Sequence, residues 1–154
     1  MGASNDRPHV KLFTDGACAG NPGPGGWAYI LRHAGNGGEH VEYGGDHQTT
    51  NNRMELIAVI EGLSRLTKSS RVEIWSDSQY VLKGLDEWMD NWIARGWRKA
   101  DRKPVLNRDL WEVLDRLRRT HDLTYHWIRG HNDHPENERC DALATKAIEE
   151  YRRR

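Results

Sequence analysis

The 154-residue chain has only two cysteines, Cys18 and Cys140, a single phenylalanine, and no net charge at pH 7. No apolar run approaches the roughly 20 residues that a membrane helix requires. Met1 to His9 contains no apolar segment that could act as a signal peptide. These absences place the chain in the cytoplasm, with both thiols reduced. The balanced net charge gives no bulk indication of a nucleic-acid partner, but the local charge does. Between Arg95 and Arg108 the bases Arg95, Arg98, Lys99, Arg102, Lys103 and Arg108 face the single acid Asp101. Seven tryptophans stand against the one phenylalanine, and Trp88, Trp92, Trp97 and Trp111 flank or lie within that basic stretch.

What is present is a set of apolar runs with helical or strand period, and no linker, repeat or low-complexity tract, so residues 1–154 read as one domain with residues 1–9 frayed. Val10 to Asp15 alternates as a strand and exits on a carboxylate, rigidly held yet near solvent. The stretch Gly16 to Gly26 reads as a turn, Trp27 to Leu31 as a second strand, and Glu39 to Gly45 as a third. Gly23, Gly25 and Ala28 fit a permissive dinucleotide pattern, but a strand-like run follows where a helix is needed, and no P-loop Lys is present. Thr49 to Asn52 supplies capping chemistry for a helix with Leu56, Val59, Ile60, Leu63 and Leu66 on one stripe, and Glu55 in its first turn beside that stripe. Arg71 to Trp75 is a strand that again exits on an acid, Asp77, and helical Gln79-Tyr-Val-Leu follows. Glu87 to Ala94 and Asn107 to Arg119 read as helices, Leu123 to Ile128 as a last strand, and a final helix starts near Glu138 and carries Asp141. The order is a three-strand meander followed by crossover units that return each new strand parallel to the first, which brings the exits of the Asp15 and Asp77 strands to one sheet edge.

Each acid alone has an ordinary explanation: Asp15 in an Asp-Gly turn, Glu55 favoured by the helix dipole, Asp77 as an N-cap. Four carboxylates at one edge repel one another unless cations bind. Hard oxygen ligands suit magnesium or manganese, and two ions roughly 4 Å apart are a standard device for in-line attack on a phosphodiester. A solvated acidic surface or a calcium site remains an alternative at this point.

Thr14-Asp15-Gly16, Gly20-Asn-Pro-Gly-Pro-Gly-Gly-Trp27, Thr50-Asn-Asn-Arg-Met-Glu55, Ser76-Asp77-Ser78-Gln79-Tyr80 and Gly130-His131 followed by His134-Pro-Glu-Asn-Glu-Arg-Cys-Asp141 together resemble bacterial ribonuclease HI, in family order from about Val10 to Ala147. The resemblance implies a ribonuclease H-like α/β fold, a five-stranded mixed β-sheet flanked by α-helices. It implies a monomeric endoribonuclease with no obligate protein partner, hydrolysing the RNA strand of RNA–DNA hybrids with two Mg2+ ions, or Mn2+ in their place, and leaving 5′-phosphate and 3′-hydroxyl ends. Carried over by motif, Asp15, Glu55, Asp77 and Asp141 are the metal ligands, and His131 is a loop histidine that shuttles a proton or assists product release. His131, His134 and Cys140 also invite a zinc reading, for which a fourth ligand at zinc spacing is missing. An enzyme that cuts only RNA must detect the 2′-hydroxyl in the shallow minor groove. Gly16, Cys18, Asn21, Asn52, Glu55 and Gln79 hold the family positions for this contact, and Thr50 and Asn51 those for a DNA-strand phosphate at a helix start. The segment from Trp88 to Lys103, with Trp92, Arg95, Trp97, Arg98 and Lys99, resembles the basic protrusion that grips hybrid backbone; otherwise it is a solvated charged loop over a Trp-rich mini-core. A departure from the family pattern is Trp92-Ile93-Ala94-Arg95, where many relatives carry a run of bases. A resolvase of the same broad fold would lack the 2′-hydroxyl and protrusion motifs, and a silent hybrid-binding module would be expected to lose one of the four acids.

Overall fold

Strand alternation sorts the apolar residues onto two faces of one sheet. In the computed structural model, which describes residues 7–129 and 134–153, Val10 and Leu12 of β1 (His9–Cys18), Tyr29 and Leu31 of β2 (Gly23–His33), and Val72 and Ile74 of β4 (Arg71–Ser76) face one way. They pack against Leu56, Val59 and Leu63 of α1 (Asn51–Ser64) and Trp111 and Leu114 of α4 (Arg108–Thr120). Phe13, Ala28 and Ile30 face the other way, onto Cys140 and Ala144 of α5 (Pro135–Arg152). With β3 (Glu39–Thr49) and β5 (Asp122–Trp127), the sheet order is β3-β2-β1-β4-β5. The first three strands form the antiparallel meander, and β4 and β5 return parallel to β1, so the five-stranded mixed sheet flanked by helices is as the sequence implies. No helix of the described residues is long and apolar enough to cross a membrane.

Several boundaries differ from the periodicity reading. The β1–β2 hairpin zips much closer to its tip: β1 runs on to Cys18 and β2 begins at Gly23, because both strands keep exchanging ladder bonds through the glycines. The parallel ladder to β4 stops earlier, at Phe13↔Trp75. Asp15 is thus past the end of the β4 pairing but still inside the β1–β2 pairing, a strand exit on one side only. Between β4 and the basic segment the helical run begins at Gln79, as the sequence reads, but does not break before Glu87. The short helix α2 (Gln79–Lys83) passes through a π-helical turn at Gly84–Trp88 into α3 (Met89–Ala94). The last helix starts at Pro135, where a proline at the first helical position loses no backbone bond.

Candidate active site

Two close approaches of backbone to backbone build the site. A Cβ on Gly16 would lie 2.5 Å from the backbone nitrogen of Glu55, so only glycine lets β1 run against the start of α1. That contact sets Glu55 beside Asp15. A Cβ on Gly26 would run into the carbonyl oxygen of Ala144, so α5 lies directly on β2 and carries Asp141, three residues upstream, to the same edge. α1 is capped by Thr50, whose hydroxyl accepts from the Arg53 N–H at 3.3 Å. Glu55 is therefore in the second turn and not the first, and its position comes from packing rather than from the helix dipole. Asp77 is not the cap of the next helix either: Ser78 fills that role, accepting from the Val81 N–H.

Asp15, Glu55 and Asp77 each offer a carboxylate oxygen within 4.8 Å of the other two, the only such group among the described residues. Asp141 lies outside that tight group and is exposed, yet near enough for its charge to act on Asp15. Asp15 is 4% exposed and Glu55 5%, far from the near-solvent placement expected of Asp15, because α1 closes over one side and α5 over the other. Burial above all, with the Asp77 and Asp141 charges adding to it, pushes the Asp15 carboxyl up to about 7 from an ordinary 3.8, against the Gly16 N–H that donates to it at 3.0 Å. Burial also raises Glu55 well above its ordinary range, with Asp15 and Asp77 adding to the effect. Glu55 Oε1 is buried and has no hydrogen-bond partner. An orphaned carboxylate oxygen in a group of three acids fits a hard cation, which would supply the missing contact and relieve the repulsion. For the zinc reading, His134 Nδ1 is likewise buried without a hydrogen-bond partner, but neither it nor Cys140 belongs to a metal-sized group among the described residues. His134 packs on Phe13 and Trp75, each ring 5.8 Å away, and Cys140 is fully buried with its thiol pushed up by desolvation. His131 lies outside the described residues.

The remaining sequence-derived positions group around the hairpin and the helix starts. Asn21 Oδ1 accepts from the Asn51 N–H at 3.0 Å, tying the β1–β2 turn to the start of α1. The Cys18 thiol sits among the Gly20, Gly23 and Thr49 carbonyls, each within reach of its one S–H, in the same turn. Asn51, Asn52 and Gln79 are exposed there. Trp88 and Trp92 join Tyr80 and Trp111 in an aromatic cluster, and with Asn52, Lys99, Val105 and Leu106 they line a cleft of about 380 Å³. Trp97 takes a left-handed backbone conformation (φ 65°) with the Arg108 guanidinium 5.7 Å from its ring, and Arg98 bonds back to the Arg102 carbonyl. Arg95 is exposed at the end of α3. The mini-core and the basic rim thus coexist in one segment. Two features had no place in the sequence reading. Arg53 clamps Asp109 bidentately, joining α1 to α4. Trp127, at the end of β5, donates its indole N–H to the Asp77 carbonyl at 3.3 Å. Its count among the tryptophans was visible, but nothing in its local spacing marks it as a neighbour of Asp77.

The RNase H family model matches residues 7–149. The ribonuclease H of Polynucleobacter asymbioticus is 54% identical over 147 residues, covering 96% of this chain and 94% of its own length. That of Halorhodospira halophila is 54% identical over 149 residues, covering 96% and 97%. The crystal structure of LC9-RNase H1 matches with a TM-score of 0.83 at 32% identity, covering 94% of this chain and 74% of that one. Matched along nearly its whole length and in the fold that gathers its acids, the chain belongs to the bacterial ribonuclease HI family.

Proposed function

We propose that the chain is an endoribonuclease that hydrolyses the RNA strand of RNA–DNA hybrids, with two Mg2+ ions held by Asp15, Glu55, Asp77 and Asp141, leaving 5′-phosphate and 3′-hydroxyl ends. The observation that carries this reading is the triad Asp15, Glu55 and Asp77 within 4.8 Å, two of its members buried and strained toward protonation. Bound there, such ions would lower the pKa of an attacking water and stabilise the leaving 3′-oxygen. The protein's own contribution is placement. Glu55 and Asp15 are fixed by the Gly16 contact, Asp77 by the end of β4, and Asp141 by α5. The exposed groups at the hairpin and helix starts, Asn21, Asn51, Asn52 and Gln79 with the backbone at Gly16 and Cys18, border the acids where a minor groove with its 2′-hydroxyls would lie. Thr50 and Asn51 at the start of α1 suit a DNA-strand phosphate, and the rim from Trp88 to Lys99 suits the backbone beyond it. His131 is assigned the proton-shuttle or product-release role.

The test is a 5′-labelled RNA annealed to DNA, compared with RNA duplex and DNA duplex, with magnesium and with chelator. Cutting of the hybrid RNA alone, only with the metal, and with 5′-phosphate ends is the expected result. Cutting of DNA duplex at the same rate would remove the 2′-hydroxyl argument, and binding without any cutting would favour a silent hybrid-binding module.

A further inference from the structure

The inward-facing row of β5 is Leu123, Tyr125 and Trp127, paired with Val72, Ile74 and Ser76 of β4. Leu123 and Tyr125 end against the core under the helices. Trp127 runs past that cover and is 45% exposed; among the described residues only Leu106 is another large apolar side chain so open. An aromatic ring half in water gives up hydrophobic free energy, and here it is held in place by the indole bond to the Asp77 carbonyl. Arg129 lies two residues on, past the end of β5, and its guanidinium lies over the Trp127 ring, 5.1 Å from the centroid. Arg129 is exposed, and no carboxylate pairs with it among the described residues. A cation on an aromatic plate therefore stands at the end of the strand next to the one that delivers Asp77. None of the substrate-binding positions read from the sequence lies on β5.

The geometry points to a phosphate-binding position formed by Trp127 and Arg129, which takes the phosphate next to the scissile one on the RNA strand, on the β5 side of Asp77. This inference rests on the hydrolytic reading given above. Adjacent strands lie about 4.8 Å apart, so a phosphodiester placed at the exit of β4 presents its neighbour within side-chain reach of β5. A planar guanidinium meets two phosphate oxygens at once, and stacking on indole removes much of the freedom that it would otherwise lose on binding. The position also answers an electrostatic need. A polyanion must approach four carboxylates, and a fixed cation beside them offsets part of the repulsion. Arg129 makes the contact; Trp127 is a positioning residue that holds the arginine and braces the turn at Asp77.

The experiment is carried out in an Asp15→Asn background, so that hybrid binding is read without cleavage, and uses hybrids in which one RNA-strand phosphate at a time is replaced by a neutral methylphosphonate. Arg129→Ala is expected to weaken binding roughly tenfold at moderate salt and to reduce the slope of log affinity against log salt by about one. Neutralising the phosphate beside the cleavage position should cost the Asp15→Asn protein a similar factor and cost Asp15→Asn/Arg129→Ala almost nothing more, while losses at other positions add. Trp127→Phe, which keeps a plate but loses the indole donor, should retain most of the salt slope, whereas Trp127→Ala should not. Additive losses at every RNA position, non-additivity confined to the DNA strand, or unchanged affinity and slope in folded Arg129→Ala would overturn the assignment. Absence of cleavage by the unmodified protein with magnesium would strike the hydrolytic reading and leave this binding comparison standing.

Discussion

At Asp15 the protein holds a carboxyl that ordinary solvation would leave ionised at neutral pH and that burial and its acidic neighbours push up to about 7. In metal-free protein the folded state therefore binds a proton more readily than the unfolded chain between about pH 4 and pH 7. Stability rises with pH only where the unfolded state holds more protons, so this group's contribution is fully present below its unfolded value of 3.8 and is lost as pH rises through about 7. Glu55 acts in the same direction. We expect the melting temperature of Asp15→Asn, measured with chelator, to exceed that of the unmodified protein by more at pH 7 than at pH 5. Saturating magnesium should shrink that gap, because cations stabilise the ionised triad. A gap independent of pH would mean that Asp15 is not desolvated. His131→Ala should slow turnover by at most about 100-fold if the role is proton transfer, with hybrid affinity kept; loss of affinity in a binding titration would assign the histidine to substrate holding instead. The identity of the acids was legible in the sequence because each sits in a motif of the ribonuclease H family, with Asp15 and Asp77 also at the ends of strand-like runs. Their burial was not, since it depends on α1 and α5 closing from opposite sides through contacts at Gly16 and Gly26 that no local window contains.

Elements deliver these residues, and the glycine contacts are where delivery can be broken. Gly26→Ala would push its methyl group into the Ala144 carbonyl and to within 2.8 Å of the Ala147 Cβ. α5 must shift to relieve this, and Asp141 travels with it. We expect a loss of about 1–3 kcal/mol in urea unfolding and a fall in kcat larger than any change in KM; unchanged kcat would show that α5 does not set the fourth acid. The basic segment makes a different test. Ile93 is half-buried and packs against the core cluster, so a lysine there would disturb packing as well as charge. Ala94 is exposed at the end of α3. Ala94→Lys should lower KM on long hybrids and steepen the salt slope by about one unit while leaving kcat unchanged; an unaltered slope would mean that the hybrid does not reach this part of the rim. Most elements were readable from period alone. The exceptions have physical causes: β3 extends to Thr49 through residues of low strand propensity because β2 templates it, and the helical stretches at Gln79 and Glu87 are one run because a π-helical turn, which shifts the period, joins them.

The whole molecule is a sheet whose order, β3-β2-β1-β4-β5, puts the Asp15 and Asp77 strands side by side in parallel. That juxtaposition was legible, because a meander followed by right-handed crossovers leaves few other arrangements. The tryptophan at the end of β5 and the arginine just beyond it were not, because their meaning depends on which strand is the neighbour. On this frame substrate choice is set by 2′-hydroxyls along one strand, so a run of deoxyribonucleotides within the RNA strand should be spared while the flanking ribonucleotides are cut, as read on a sequencing gel. The central claim is that the clustered acids hold the metals that carry out the chemistry. The most direct measurement is single-turnover cleavage of a labelled hybrid by Asp15→Asn at saturating magnesium, with hybrid affinity measured in parallel. The account predicts a rate at least about 10³-fold below that of the unmodified protein with affinity retained; cleavage at the unmodified rate would contradict it.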